Sequence, residues 1–227
     1  MSVAALAVPG RIALTSGSVE AIKWFALLAM LVDHVNSAFF GRELGTLADI
    51  VGRVAMPLFA GVLAYNLARP GADYGRTMRR LLVFGALALP AHAYLFADLY
   101  GWWPLNILLT FAVAVGVLDL STRGRDELAA AVFVIGGALV EYWWPGVALV
   151  IAATWHFQRP TGRTLVLVAV ALVGLCAVNL NGWALLALPV AAAAVVWSPT
   201  LLRLRWAFWL AYPLHLLAIA ILSALMG

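Results

Sequence analysis

Long apolar runs, each closed by a cluster of charged, Gly or Pro residues, repeat along this chain from Phe25 almost to its last residue. Breaking the runs at those clusters predicts nine helices, over 19–40, 47–67, 78–97, 103–119, 127–144, 146–158, 164–180, 183–197 and 206–226. Most approach the roughly 20 residues that a bilayer core demands, and the sixth is short.

The distribution of Lys and Arg orients the helices, because basic residues are retained on the cytoplasmic side of short loops and helix flanks. With the N-terminus inside, the inner side collects Arg11, Lys23, Arg69, Arg76, Arg79, Arg80, Arg123, Arg125, Arg159, Arg163, Arg203 and Arg205. The outer loops keep only Arg42. Joining helices five and six would carry Arg159, Arg163, Arg203 and Arg205 outside, so Trp143-Trp144-Pro145-Gly146 is read as a turn between two helices. The expected fold is all-α, a polytopic transmembrane helix bundle of about nine helices with its N-terminus cytoplasmic and its C-terminus outside.

Composition agrees. With 65% hydrophobic residues, 11% charged residues and a mean hydropathy of +1.01, a soluble fold would leave apolar surface everywhere. The 227 residues are nearly all used by spans and short connectors, which makes 1–227 a single domain with the lipid bilayer as its first partner. The net charge of +4 follows the insertion rule and forms no basic stripe, so no nucleic-acid role is needed. The N-terminus lacks the order of a cleaved secretory signal, since Arg11 follows the first apolar residues and Glu20 and Lys23 precede the next run. The lone Cys176 has no disulfide partner and no neighbouring metal ligand.

Against this background the ionisable residues inside spans stand out, each costing about 2.5 to 3.5 kcal/mol at a helix centre on insertion scales. Asp33-His34 is the leading case. At about 1.5 Å per residue, His34 and Arg53 both lie about 9 Å below the outer surface. Asp33 is a little deeper, Asp49 shallower, His92 near the outer end of helix three, Asn106 just inside helix four and Glu141 near the outer end of helix five. His215, near the middle of helix nine, completes an outer-half layer fed by six helices.

Two readings stand for most of these residues. Asp33 and Arg53 are either a structural ion pair or part of a reactive site. Neighbours on a helix point about 100° apart, so Asp33 and His34 each need a partner from another helix. An imidazole is the usual group for taking a proton near neutral pH, which favours chemistry for His34. His92 is expected to bond a carbonyl freed by Pro90, and His215 follows a second proline break at Pro213. No two His residues sit at i, i+3 or i+4 and no Cys joins them, so no metal is expected. On the inner face, Arg69, Arg76, Arg79 and Arg80 flank a glycine-punctuated loop and serve either as lipid anchors or as ligands for an anionic cytoplasmic molecule such as a phosphate.

Several stretches together resemble the TraX family, the conjugative-pilin acetylases, within the wider group of integral-membrane acyltransferases. The resemblance runs through Ile22-Lys23-Trp24-Phe25-Ala26-Leu27-Leu28-Ala29-Met30-Leu31-Val32-Asp33-His34, Gly52-Arg53-Val54-Ala55-Met56-Pro57-Leu58-Phe59-Ala60 and Ala64-Tyr65-Asn66. It continues in Arg80-Leu81-Leu82, Asn106-Ile107-Leu108-Leu109-Thr110-Phe111, Glu141-Tyr142 ahead of Gly146, and Ala211-Tyr212-Pro213-Leu214-His215-Leu216. Helices six to eight carry no matching motif.

The resemblance implies a multi-pass protein of the bacterial inner membrane that transfers an acetyl or similar acyl group from cytoplasmic acetyl-CoA (acyl-CoA) to an amine or hydroxyl at the outer face. A pilin N-terminus or another envelope molecule is the implied acceptor. In that frame His34 is the expected general base, helped by Asp33 and Arg53, with Asn106 or Arg53 as oxyanion donor. His92, Glu141, Tyr142, Tyr212 and His215 are expected to bind substrate, and Arg69, Arg76, Arg79 and Arg80 to hold the CoA phosphates. The rival readings are a proton-coupled transporter using Asp33, His34, Arg53 and Glu141, and a haem carrier with His92 and His215 as axial ligands.

Overall fold

A computed structural model describes residues 14–226 except 44, 202 and 205. Arg11, Arg205 and the expectation of an uncleaved leader lie outside the described residues. Among those described there are nine α-helices: α1 (Ser16–Phe40), α2 (Thr46–Leu67), α3 (Tyr74–Tyr100), α4 (Ile107–Thr122), α5 (Asp126–Leu139), α6 (Trp143–Gln158), α7 (Gly162–Asn179), α8 (Ala187–Trp197) and α9 (Ala207–Met226). A short 3₁₀ turn, Trp183–Leu186, leads into α8. Three segments, Leu47–Leu67, Gly162–Asn179 and Ala207–Met226, are each long and apolar enough to cross a membrane.

Local chemistry sets most helix ends. Thr15 caps α1 by accepting from the Ser18 N–H, and Gly41 ends it in the left-handed conformation at φ 52°. Asp73 accepts from the Arg76 N–H at 2.8 Å and starts α3 earlier than the hydrophobic pattern alone indicates. Thr161 and Thr164 form a reciprocal capping box at α7. Pro57, Pro90 and Pro213 sit inside α2, α3 and α9, where packing against neighbouring helices sustains the interrupted ladders.

The largest departures from the expected boundaries occur around α4 to α6. Helix α4 begins at Ile107 instead of 103, because Asn106 is its N-cap, the side chain accepting from the Leu108 N–H. Helix α5 ends at Leu139 instead of 144, and α6 starts at Trp143, so the turn lies at 140–142. Leu105 draws this segment out of the helix: its N–H donates to the Leu139 carbonyl at 2.8 Å, and its carbonyl accepts from Glu141 at 2.7 Å. Pro145 then falls in the first turn of α6, where its missing N–H removes no helical bond.

Successive helices reverse direction through short connections, so the starts of α1, α3 and α9 share one end of the bundle with the ends of α6 and α8. Gln158 donates to the Tyr74 hydroxyl, Thr15 bonds Ser198, and Arg80 lies over the Trp206 and Trp209 rings. The core forms where α1, α2, α4 and α6 meet. Fully buried Ala26, Ala60, Ala64 and Ala114 permit close backbone approach there, as small residues do between helices in lipid. Outward-facing Val166, Val170 and Val173 leave α7 on the periphery.

Candidate active site

Asp33 and His34 lie on α1 about two turns before its C-terminus, and adjacent helix positions send them to different neighbours. Asp33 leans on α2 at Gly52. A Cβ at position 52 would come within 2.5 Å of Asp33 Oδ1, so only glycine leaves room. The Asp33–Arg53 ion pair, one of the two readings open from the sequence, is not made at this contact. Gly52 occupies the contact with Asp33, and Arg53 acts on the Asp33 and Glu141 carboxyls only beyond ion-pair distance, its buried Nε without a hydrogen-bond partner.

The cation that reaches Asp33 is Arg42, from the α1–α2 connection. Its NH1 lies 3.5 Å from Asp33 Oδ1 and 3.8 Å from Asp49 Oδ1. Asn36, fully buried, donates to Asp49 at 3.3 Å. Arg42 is held at φ 70° directly after Gly41, and these consecutive left-handed residues turn its side chain back over the helix ends.

His34 turns towards α9. Its Nδ1 lies 2.7 Å from His215 Nε2, while His215 Nδ1 donates to the Ala211 carbonyl at 2.7 Å. Both nitrogens of His215 are thereby engaged in hydrogen bonds. The expected bond from His92 to a freed carbonyl is also missing, since His92 Nδ1 is buried without a partner. Phe96 bridges the two imidazoles of α1 and α3, with ring centroids 5.6 Å from His34 and 5.0 Å from His92.

Glu141 and Tyr142 approach from the α5–α6 turn, not from inside helix five as expected. Thr110 donates to the Glu141 carbonyl at 2.7 Å, and the Glu141 N–H is taken by Leu105. Tyr142 and Trp143 follow at φ 60° and 52°, two left-handed non-glycine residues that make the turn sharp enough to point Glu141 and Tyr142 inward. Burial in this turn pushes the Glu141 carboxyl up to about 7, with Asp33 adding to the rise and Arg53 and the Ile107 N–H opposing it.

These groups surround a small cavity lined by Met30, Asp33, His34, Gly52, Met56, Ile107, Glu141, Tyr142 and Tyr212 among others. Its volume of about 20 Å³ has room for about one water. The Ile107 N–H, at the start of α4, faces both the Glu141 carboxyl and the Tyr212 hydroxyl. A helix N-terminus supplies partial positive charge there. A larger hollow of about 500 Å³ lies over α4 to α7, lined by Val117, Phe133, Trp144 and Trp155, and contains none of the expected site residues.

A family model described as TraX protein matches residues 18–223, a stretch that includes every residue of the cavity. The chain belongs to the TraX family. Two proteins named Protein TraX, one from Escherichia coli and one from its strain K12, are 34% and 33% identical to it over 175 residues. Each match covers 72% of this chain and 66% of the relative, so the chain spans just under two thirds of their length. No solved structure matches.

Of the residues expected in this TraX-family site, Asp33, His34, Glu141, Tyr142 and Tyr212 line the cavity, and His215 joins through His34. Asn106 does not line it: its Oδ1 caps α4 through Leu108 and its Nδ2 donates to the Gly85 carbonyl at 2.9 Å. The basic residues are far along the bundle. Arg69, Arg76 and Arg79 are exposed, Arg76 pairs with Asp73 at 3.3 Å, and Arg80 lies over the rings of Trp206, just before α9, and Trp209 within it. Arg42, Gly52 and the Ile107 N–H belong to the site without having been expected there. Gly52 stood beside Arg53 in the resemblance, but Arg42 read as a lone outer-loop charge, and a backbone N–H carries no residue signature.

Proposed function

We propose that this protein is an acyl-CoA-dependent membrane acyltransferase that acylates an amine or hydroxyl, with His34 as general base. The observation that carries the reading is the His34 imidazole, hydrogen-bonded at Nδ1 and bordering a closed polar cavity inside a chain of apolar helices. Ionisable groups are kept in such surroundings at a cost that a purely packing role does not require.

The chemistry runs as follows. His34 Nε2 takes the acceptor's proton, and the acceptor nitrogen or oxygen forms a bond to the acyl carbon. The thioester carbon–sulfur bond breaks, and the proton passes from the imidazolium to the departing CoA thiolate. The Ile107 N–H, at the cavity wall beside Glu141 and Tyr212, is the donor to the developing oxyanion, and one such donor contributes about 2.7–4 kcal/mol in other acyl-transfer sites. With room for only about one water, the cavity has to open for substrate.

The basic end is assigned to the cytoplasm of a bacterial inner membrane, with the N-terminus inside. There Arg69, Arg76 and Arg79 receive the CoA phosphates, and the pantetheine arm enters between the helices. A pilin N-terminus, or another envelope molecule, is the acceptor implied by the family.

Purified protein incubated with acetyl-CoA and envelope extract, with acceptors followed by mass spectrometry, tests this directly. Acetyl transfer should fall by on the order of 10²- to 10⁴-fold in His34→Ala while acetyl-CoA still binds. The Arg76→Ala/Arg79→Ala double variant should raise the KM for acetyl-CoA more than it lowers kcat. Wild-type turnover in His34→Ala would remove the base assignment, and solute flux in proteoliposomes without acyl-CoA consumption would favour the transporter.

A further inference from the structure

His215 is held by a bond that leaves it one role. A carbonyl oxygen only accepts, so the 2.7 Å contact to Ala211 requires the proton of His215 to sit on Nδ1. In the neutral ring Nε2 then carries a lone pair, and the 2.7 Å contact from His34 Nδ1 requires a proton on the His34 side. His34 is left with Nε2 unprotonated.

The ring geometry agrees. The two imidazole planes differ by 9° with centroids 4.9 Å apart. Nitrogens 2.7 Å apart are closer than two ring faces can approach, so the rings lie edge to edge in nearly one plane, with the N–H directed along the lone pair. Phe96 and Tyr212 meet the His34 ring at 60° and 68° and flank it.

We infer that His215 is a positioning residue that fixes His34 in the Nδ1–H tautomer and thereby keeps Nε2 available as the base. The Ala211 carbonyl acts behind it, so the order is backbone carbonyl, His215, His34, acceptor. This rests on the proposed role of His34 and adds which nitrogen reacts and what holds it so. A third partner orienting a catalytic imidazole in this manner is what makes such a base effective on other folds.

The test separates tautomer from turnover. In full-length protein carrying ¹⁵N-labelled histidine, side-chain NMR should find His34 protonated at Nδ1 and bare at Nε2. His215→Leu should shift that resonance pair towards the opposite tautomer and lower acetyl transfer by on the order of 10²-fold, the low end of what a positioned base contributes. His215→Gln, which keeps an acceptor for the Nδ1–H, should retain the tautomer and recover most of the turnover, with the KM for acetyl-CoA unchanged throughout. A bare Nδ1 in the wild-type protein, or an unaltered His34 tautomer in His215→Leu, would overturn the inference. Full activity in His34→Ala would instead sink the base reading while the tautomer result stood.

Discussion

Helices α2 and α7 are alike in length and hydropathy, and each is apolar enough to cross a membrane, yet half of α2 is buried inside the protein and only 17% of α7. In water such a difference is written in the sequence as an apolar stripe. In lipid it is not, because the bilayer solvates apolar side chains as well as another helix does. What separates the two helices is their polar and small residues. Helix α2 carries Asp49, Gly52 and Arg53 at the end that meets α1, whereas α7 presents Val166, Val170 and Val173 outward.

The sharpest way to break the contrast is Gly52→Ala. The new Cβ would meet Asp33 Oδ1, Cβ and Cγ at 2.5 to 2.8 Å, and helix α1 cannot yield without moving His34. A loss of about 1–3 kcal/mol of stability is expected, accompanied by loss of the proposed acyl transfer. Thermal unfolding in detergent together with acetyl-CoA turnover would measure both. If α2 accepts this alanine with neither change, its buried end is not built around Asp33.

Glu141 sharpens the comparison through pH. Its carboxyl ordinarily titrates near 4.5 and is held at about 7 in the folded protein. Between those values the folded state keeps a proton that the unfolded chain has released, so this residue's contribution to stability falls as pH rises through the window. The apparent Tm of Glu141→Gln should therefore depend less on pH across that range than the Tm of the wild type. Equal slopes in both proteins would mean that the turn is more hydrated than its burial indicates.

The smallest effect is expected on α7. Val173 is 64% exposed, and Val173→Leu should change stability by less than about 0.5 kcal/mol and leave turnover unaltered. A larger loss would reveal a partner on the α7 face.

The sequence by itself determined the class of the protein, the number and approximate placement of its helices, and the residues worth examining. Each of these depends on quantities that accumulate locally along the chain: span length against bilayer thickness, caps, and the cost of an ionisable group in hydrocarbon. Asp33, His34 and Glu141 were legible for that reason. Partnership was not, because it depends on how each helix is rotated about its axis and which helix lies beside it. Only the tertiary structure decided that Gly52 meets Asp33 in place of Arg53, that Arg42 returns from the connection to pair with Asp33, and that Asn106 caps α4. It alone joined His34 to His215 across 181 positions, since a 100° step between neighbouring residues sends each to a different helix and no local rule along the chain predicts which one.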